Sequence, residues 1–74
     1  MTNETAEKII SELEHEAERF EQVAFRYINK AIDCDKDGFP VLAEYYEDIA
    51  DKYYDKAYRF RIAIRSTLET REVK

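Results

Sequence analysis

Alanine returns every seventh residue on both sides of a single break in this chain: Ala17, Ala24 and Ala31 before it, Ala43, Ala50 and Ala57 after it. At the complementary heptad position stand larger apolar residues, Leu13, Phe20 and Tyr27 in the first arm and Tyr46, Tyr53 and Phe60 in the second. Ala6 and Ile10 extend the same spacing at one end of the chain, Ile64 and Thr67 at the other. A sustained period of about 3.5 residues selects helices that wind around one another in a left-handed supercoil. Two such arms joined by one short connection fold back as an antiparallel pair.

The break is Asp33-Cys34-Asp35-Lys36-Asp37-Gly38-Phe39-Pro40, which holds the only glycine and the only proline. Good helix formers fill the remainder. The first helix is predicted over about residues 4–34, capped by Asn3 or Thr5, and the loop over about 35–39. Proline at a first helical position needs no amide hydrogen, so the second helix is predicted from Pro40 to about residue 70. Folding about Gly38 and Phe39 pairs residues whose numbers sum to about 77: Ala31 with Tyr46, Tyr27 with Ala50, Ala24 with Tyr53, Phe20 with Ala57, Ala17 with Phe60, Leu13 with Ile64. Almost every layer sets a small residue against a large one, which brings the axes close and is expected to fill the seam evenly. The predicted fold is all-α: an antiparallel helical hairpin with small/large coiled-coil packing, one domain over residues 1–74.

A chain of 74 residues buries a small share of its surface, so its core is marginal without added support. Cys34 is the only cysteine, so no intrachain disulfide supplies that support. Apolar residues nevertheless remain outside the seam. Ile9, Val23, Leu42, Ile49 and Ala63 lie on one flank, and Phe25, Ile28, Ile32, Tyr54, Tyr58 and Leu68 on the other. A stripe this wide needs more than one neighbour, so two hairpins are predicted to associate with two-fold symmetry into a four-helix bundle. The candidate interaction surface is Phe25, Ile28, Ile32, Phe39, Tyr45 and Ile49, with Tyr54 and Tyr58 next.

Charge and hydropathy narrow the classes further. The N-terminus, Met1 to Thr5, is acidic with no apolar stretch behind it, and nothing is apolar enough to cross a membrane; a cytoplasmic location with no membrane partner is expected. Net charge is −5, distributed unevenly. Residues 1–21 carry seven glutamates against Lys8 and Arg19, and residues 59–74 carry Arg59, Arg61, Arg65, Arg71 and Lys74 against Glu69 and Glu72. In a hairpin these segments lie side by side and are expected to pair, each also opposing its helix dipole.

Two motifs carry candidate chemistry. Asp33, Asp35, Asp37, Gly38 and Glu44 match the D-x-D-x-D-G-x5-E spacing that wraps oxygen ligands around calcium in an EF-hand. Pro40 and Val41 depart from that pattern, and aspartate and glycine are also ordinary turn residues. Calcium at Asp33, Asp35, Asp37 and Glu44 is therefore one candidate, with no other cofactor implied. The second motif is Lys56, Arg59, Arg61 and Arg65 among Tyr54, Tyr58 and Phe60, a mixture of cations and rings that can hold single-stranded nucleic acid. Catalysis finds no constellation. The lone histidine, His15, falls opposite the seam, the Glu12/Glu16 and Glu44/Glu47/Asp48/Asp51 sets turn nearly all outward, and Cys34 sits in the loop next to acids, a poor setting for a nucleophile.

The small/large heptads, the acidic loop opening Ile32-Asp33-Cys34-Asp35 and the stretch Ala50-Asp51-Lys52-Tyr53-Tyr54 resemble the Rop type of plasmid-encoded RNA-binding hairpin. The resemblance implies an antiparallel four-helix bundle of two hairpins. It does not carry over the RNA contacts, because the first helix here presents Glu7, Glu14, Glu18 and Glu21 and the loop holds extra residues. The functional expectation is a non-enzymatic protein–protein interaction module, homodimeric, acting as adaptor, inhibitor or regulator and touching another protein besides itself. The alternatives are an RNA-binding regulator of Rop-like architecture and a calcium-binding loop protein.

Overall fold

The computed structural model describes residues 3–72, with side chains over 4–69. It is an antiparallel helical hairpin: α1 spans Asn3–Lys36, α2 spans Pro40–Glu72, and no strand occurs among the described residues. The rod measures 56 × 15 × 11 Å. The side chains of Asn3, Arg71 and Lys74, cited above as a cap and as terminal cations, lie outside the described set.

The turn is tighter than the sequence pattern predicts, because α1 runs on through Asp35 and Lys36. Gly38 ends it. Its φ of 87° is in the left-handed region, where a residue without Cβ carries no steric penalty. Around it the Phe39 amide donates to the Cys34 carbonyl at 2.8 Å and the Gly38 amide to the Asp35 carbonyl at 3.2 Å. These are the two bonds of a Schellman cap, which satisfy carbonyls the helix end leaves open. The next helix starts at once. The Phe39 carbonyl accepts from the Ala43 amide at 3.0 Å, so Phe39 is the N-cap of α2 and Pro40 its first residue.

The buried residues are Ala6, Ala17, Ala24, Ala31, Ala43, Ala50, Ala57 and Ile64. Alanine has no side chain beyond Cβ, so two alanine rows let the helix backbones come close. The register has the predicted sum. The Tyr27 ring lies 5.9 Å from both Tyr46 and Tyr53, and the Phe20 ring 6.0 Å from Tyr53 and 5.6 Å from Phe60. Each α1 ring thus sits midway between two α2 rings, which places Tyr27 level with Ala50 and Phe20 level with Ala57.

One expectation is corrected here. Rings and alanines do not fill the seam evenly, and no large side chain among the described residues is fully buried. All five rings lean to one side, where they stack in the order Tyr46, Tyr27, Tyr53, Phe20, Phe60, with adjacent planes within 27° of parallel. The reason is steric: helices held at alanine distance leave no room for a phenyl group between them. The rings lie beside the seam as a half-buried ladder.

The opposite side carries the expected pairing between acidic and basic segments. Arg61 Nη2 donates to Glu21 Oε1 at 2.6 Å across the seam. Arg59 turns instead to Asp55 on its own helix, at 3.3 Å, and Arg19 to Glu16, at 3.1 Å.

Candidate interaction surfaces

The hairpin displays three apolar surfaces, and helical spacing decides which residue joins which. The first is the ring ladder. Residues one position before a member of the alanine rows, which Ile10 and Ile64 continue, fall on the side to which the rings lean, so Ile9, Val23, Ile49 and Ala63, all half-buried, border the ladder. Two lysines cap it. Lys30 Nζ stands 5.4 Å from the Tyr27 centroid and 5.7 Å from that of Tyr46, and Lys56 Nζ 5.3 Å from Tyr53 and 5.7 Å from Phe20. An ammonium over a ring face is attracted by the ring quadrupole, so these lysines shield the ladder with their alkyl stems while keeping their charge in water. A shallow apolar groove lined by Leu13, Lys56, Arg59, Phe60 and Ala63 continues it toward the open end.

The second surface lies on the opposite flank. Phe25 and Tyr54 line one groove with Glu18, Glu21, Gln22 and Arg26, and Tyr54 continues into a second with Tyr58, Arg61, Ile62 and Arg65. Phe25, Ile32, Tyr54, Tyr58 and Ile62 are exposed, Tyr58 at 64% and Phe25 at 58%. Ile28, half-buried, lies on the same row as Phe25 and Ile32. Arg61 is held above its ordinary pKa, first by its hydrogen bond to Glu21 and then by the charges of Glu21, Glu18 and Glu14. In the open half of this flank Arg61 and Glu21 are therefore matched to each other within the hairpin.

The third surface is the loop end. Gly38, Phe39, Pro40, Val41, Leu42 and Tyr45 form an almost wholly apolar patch, with Val41 80% exposed. Tyr45 leans edge-on against Tyr46 at 5.7 Å, which ties the patch to the end of the ladder.

The eight residues proposed from sequence as one surface are thus divided. Phe25, Ile28, Ile32, Tyr54 and Tyr58 share one flank, Ile49 lies on the ladder side, and Phe39 and Tyr45 sit at the tip. The basic quartet is divided too: Lys56 and Arg59 line grooves on the ladder side, Arg61 and Arg65 a groove on the other. Asp33, Asp35, Asp37 and Glu44 are not brought together. Asp33 and Asp35 belong to a helix, where residues two apart point nearly opposite ways, and no group of three or more His, Cys, Asp or Glu able to hold a metal occurs among the described residues. His15 is exposed, and Cys34 is a half-buried free thiol.

Lys30 and Ile62 belong to these surfaces and were not singled out from sequence. Lys30 had a signal: it follows Tyr27 by three residues, as Lys56 follows Tyr53, which is the spacing that lays one side chain over another on a helix.

No family model matches the chain, and neither comparison with characterised proteins nor comparison with solved structures returns a match. No helix among the described residues is long and apolar enough to cross a membrane.

Proposed function

We propose that this chain is a non-enzymatic protein–protein interaction module that works as a homodimer, in the role of adaptor, inhibitor or regulator. One observation carries the reading: the buried core consists of seven alanines and one isoleucine, while every ring of the seam stays half-exposed. Two helices form one layer, and a stable domain needs a second layer over its apolar face. A second hairpin laid on the ladder supplies it and completes a four-helix bundle.

The charges bordering the ladder favour a particular arrangement. Glu16 and Lys30 lie seven residues to either side of Val23 on one row of α1. If α1 of one copy runs antiparallel to α1 of the other, centred on Val23, each Glu16 meets a Lys30. The same placement sets Ile49 against Phe60, and it leaves the two Lys56 ammoniums at the rim, over their own rings. With the loops at the same end, Glu16 would instead face Phe60 and Ala63, and Lys30 would face Ile49.

The test is sedimentation equilibrium. A dimer is expected, and oxidation of a Val23→Cys, Cys34→Ser variant should link two chains across the axis. Val23→Asp should yield monomers, whereas Ile32→Asp on the other flank should not. A fully helical monomer at micromolar concentration would remove the proposal.

A further inference from the structure

We infer that the flank opposite the ring ladder, in its loop-proximal half, is a docking groove for a cationic amphipathic helix of another protein. The inference rests on the reading of the chain as an interaction module, and it concerns a face the proposed dimer leaves open.

Two parallel rows build the groove. The α1 row is apolar, with Phe25, Ile28 and Ile32 at positions i, i+3 and i+7. The α2 row is acidic and then aromatic, with Glu44, Glu47 and Asp51 leading to Tyr54 and Tyr58. Phe25 and Tyr54 line one groove together with Glu18, Glu21, Gln22 and Arg26, which fixes the two rows side by side at the end of the loop-proximal half nearest the middle of the hairpin. The acids are uncompensated. Glu21 in the open half is bonded to Arg61, but none of Glu44, Glu47 and Asp51 forms an ion pair among the described residues. An apolar row beside an acidic row is the complement of a helix with anchors at i, i+3, i+4 and i+7 and lysines or arginines along one border. Charge of this kind sets orientation and partner choice more than affinity, which comes from the desolvated anchors.

A second copy of the chain fits this groove poorly. With the loops at opposite ends, Glu47 and Glu44 of one copy would meet Arg61 and Arg65 of the other, but Phe25, Ile28 and Ile32 would then lie on Glu21, Glu18 and Glu14. With the loops at the same end, Ile28 and Ile32 would cover Asp51 and Glu47, and Asp35 would face Glu44. Either way apolar side chains desolvate carboxylates with no partner for them. Nucleic acid and anionic membranes are repelled by the same acids.

The probe is a synthetic leucine/lysine peptide of about eighteen residues with leucines in the i, i+3, i+4, i+7 pattern, titrated against the full chain by fluorescence anisotropy. The control is the same peptide with glutamate for lysine. The lysine peptide should bind in the micromolar range, at least about tenfold more tightly than the glutamate peptide. Ile32→Asp or Phe25→Asp should weaken it at least about tenfold with helicity unchanged, both residues being exposed. Glu47→Gln with Asp51→Asn should weaken it several-fold and flatten its salt dependence, while Glu12→Gln with Asp33→Asn, which remove the same charge from the outer face of α1, should leave it unchanged. Equal binding of the two peptides, no binding, or equal loss from the outer-face pair would overturn the inference. So would dissociation of the dimer by Ile32→Asp, since the groove would then be the interface between copies. Sedimentation of the same samples separates failure of the homodimer from failure of the groove.

Discussion

Tyr27 and Tyr53 lie ring to ring across the seam, with centroids 5.9 Å apart and planes 7° from parallel. They are the centre of the ladder, since Tyr27 also touches Tyr46 and Tyr53 also touches Phe20. Tyr53→Ala removes two ring contacts and opens a gap in the middle of the stack. Because the site is half-exposed, a loss of about 2 kcal/mol is expected, below the about 3–5 kcal/mol of truncating a core aromatic. A double-mutant cycle of Tyr27→Ala with Tyr53→Ala, followed by urea unfolding, should return a coupling of about 0.5–1.5 kcal/mol. Additive effects would mean that the rings are neighbours without interacting.

The ladder exists because alanine rows hold the helices close, and Ala50→Leu tests that cause. Ala50 is fully buried and level with Tyr27, so three added heavy atoms cannot be met by a rotamer change. The backbones must separate or Tyr27 must leave the stack, at a cost of about 1–3 kcal/mol. Ala63→Leu adds the same volume at a half-buried position on the ladder border and should be neutral or stabilising. If both changes cost the same in urea midpoint, closeness at the seam is not what organises the fold.

Helix number, turn position and register were legible in the sequence, each for a physical reason. The heptad spacing of Ala17, Ala24 and Ala31 against Ala43, Ala50 and Ala57 leaves one antiparallel register that matches small to large, and the ring contacts reproduce it. What could not be read was the side to which the rings lean. A layer sum assigns Tyr27 to the level of Ala50 but treats the seam as a line, and the sidestep follows only from the distance between axes. The candidate surface was split for a similar reason. Ile49 and Ile32 both lie outside the seam, yet one precedes an alanine and the other follows one, and on a helix those positions fall on opposite flanks. The loop is two residues shorter than the sequence pattern predicts: aspartate is an indifferent helix former, but the Schellman cap at Gly38 draws Asp35 and Lys36 into α1.

Gly38 is therefore a helix terminator, and its substitution has a graded outcome. A Cβ at Gly38 would meet nothing within 4 Å, so the only penalty is the left-handed backbone conformation. Gly38→Ala should cost about 1–2 kcal/mol, and Gly38→Asn less, since asparagine tolerates that region. Neither change should alter the response to calcium. With Asp33 and Asp35 on a helix, millimolar calcium is expected to leave the melting temperature where it was. A rise with calcium that Asp33→Ala abolishes would show that the tip rearranges around an ion.

Arg61 and Glu21 form the one described ion pair that crosses between the helices, and its contribution should be small and salt-dependent. Both side chains are well exposed, at 46% and 39%, so water and counterions compete for each charge. Arg61 stays protonated at any workable pH, its pKa being raised by the hydrogen bond to Glu21, so salt is the variable to scan. Arg61→Ala should shift the urea midpoint far less than Tyr53→Ala. The coupling in a cycle of Arg61→Ala with Glu21→Gln should fade as salt approaches about 1 M, where the screening length falls to about 3 Å. The Tyr27–Tyr53 coupling should persist through the same scan. A cross-helix ion pair as strong as the ring pair, or one unaffected by salt, would mean that charge rather than the alanine rows and their ring ladder sets the alignment of the two helices.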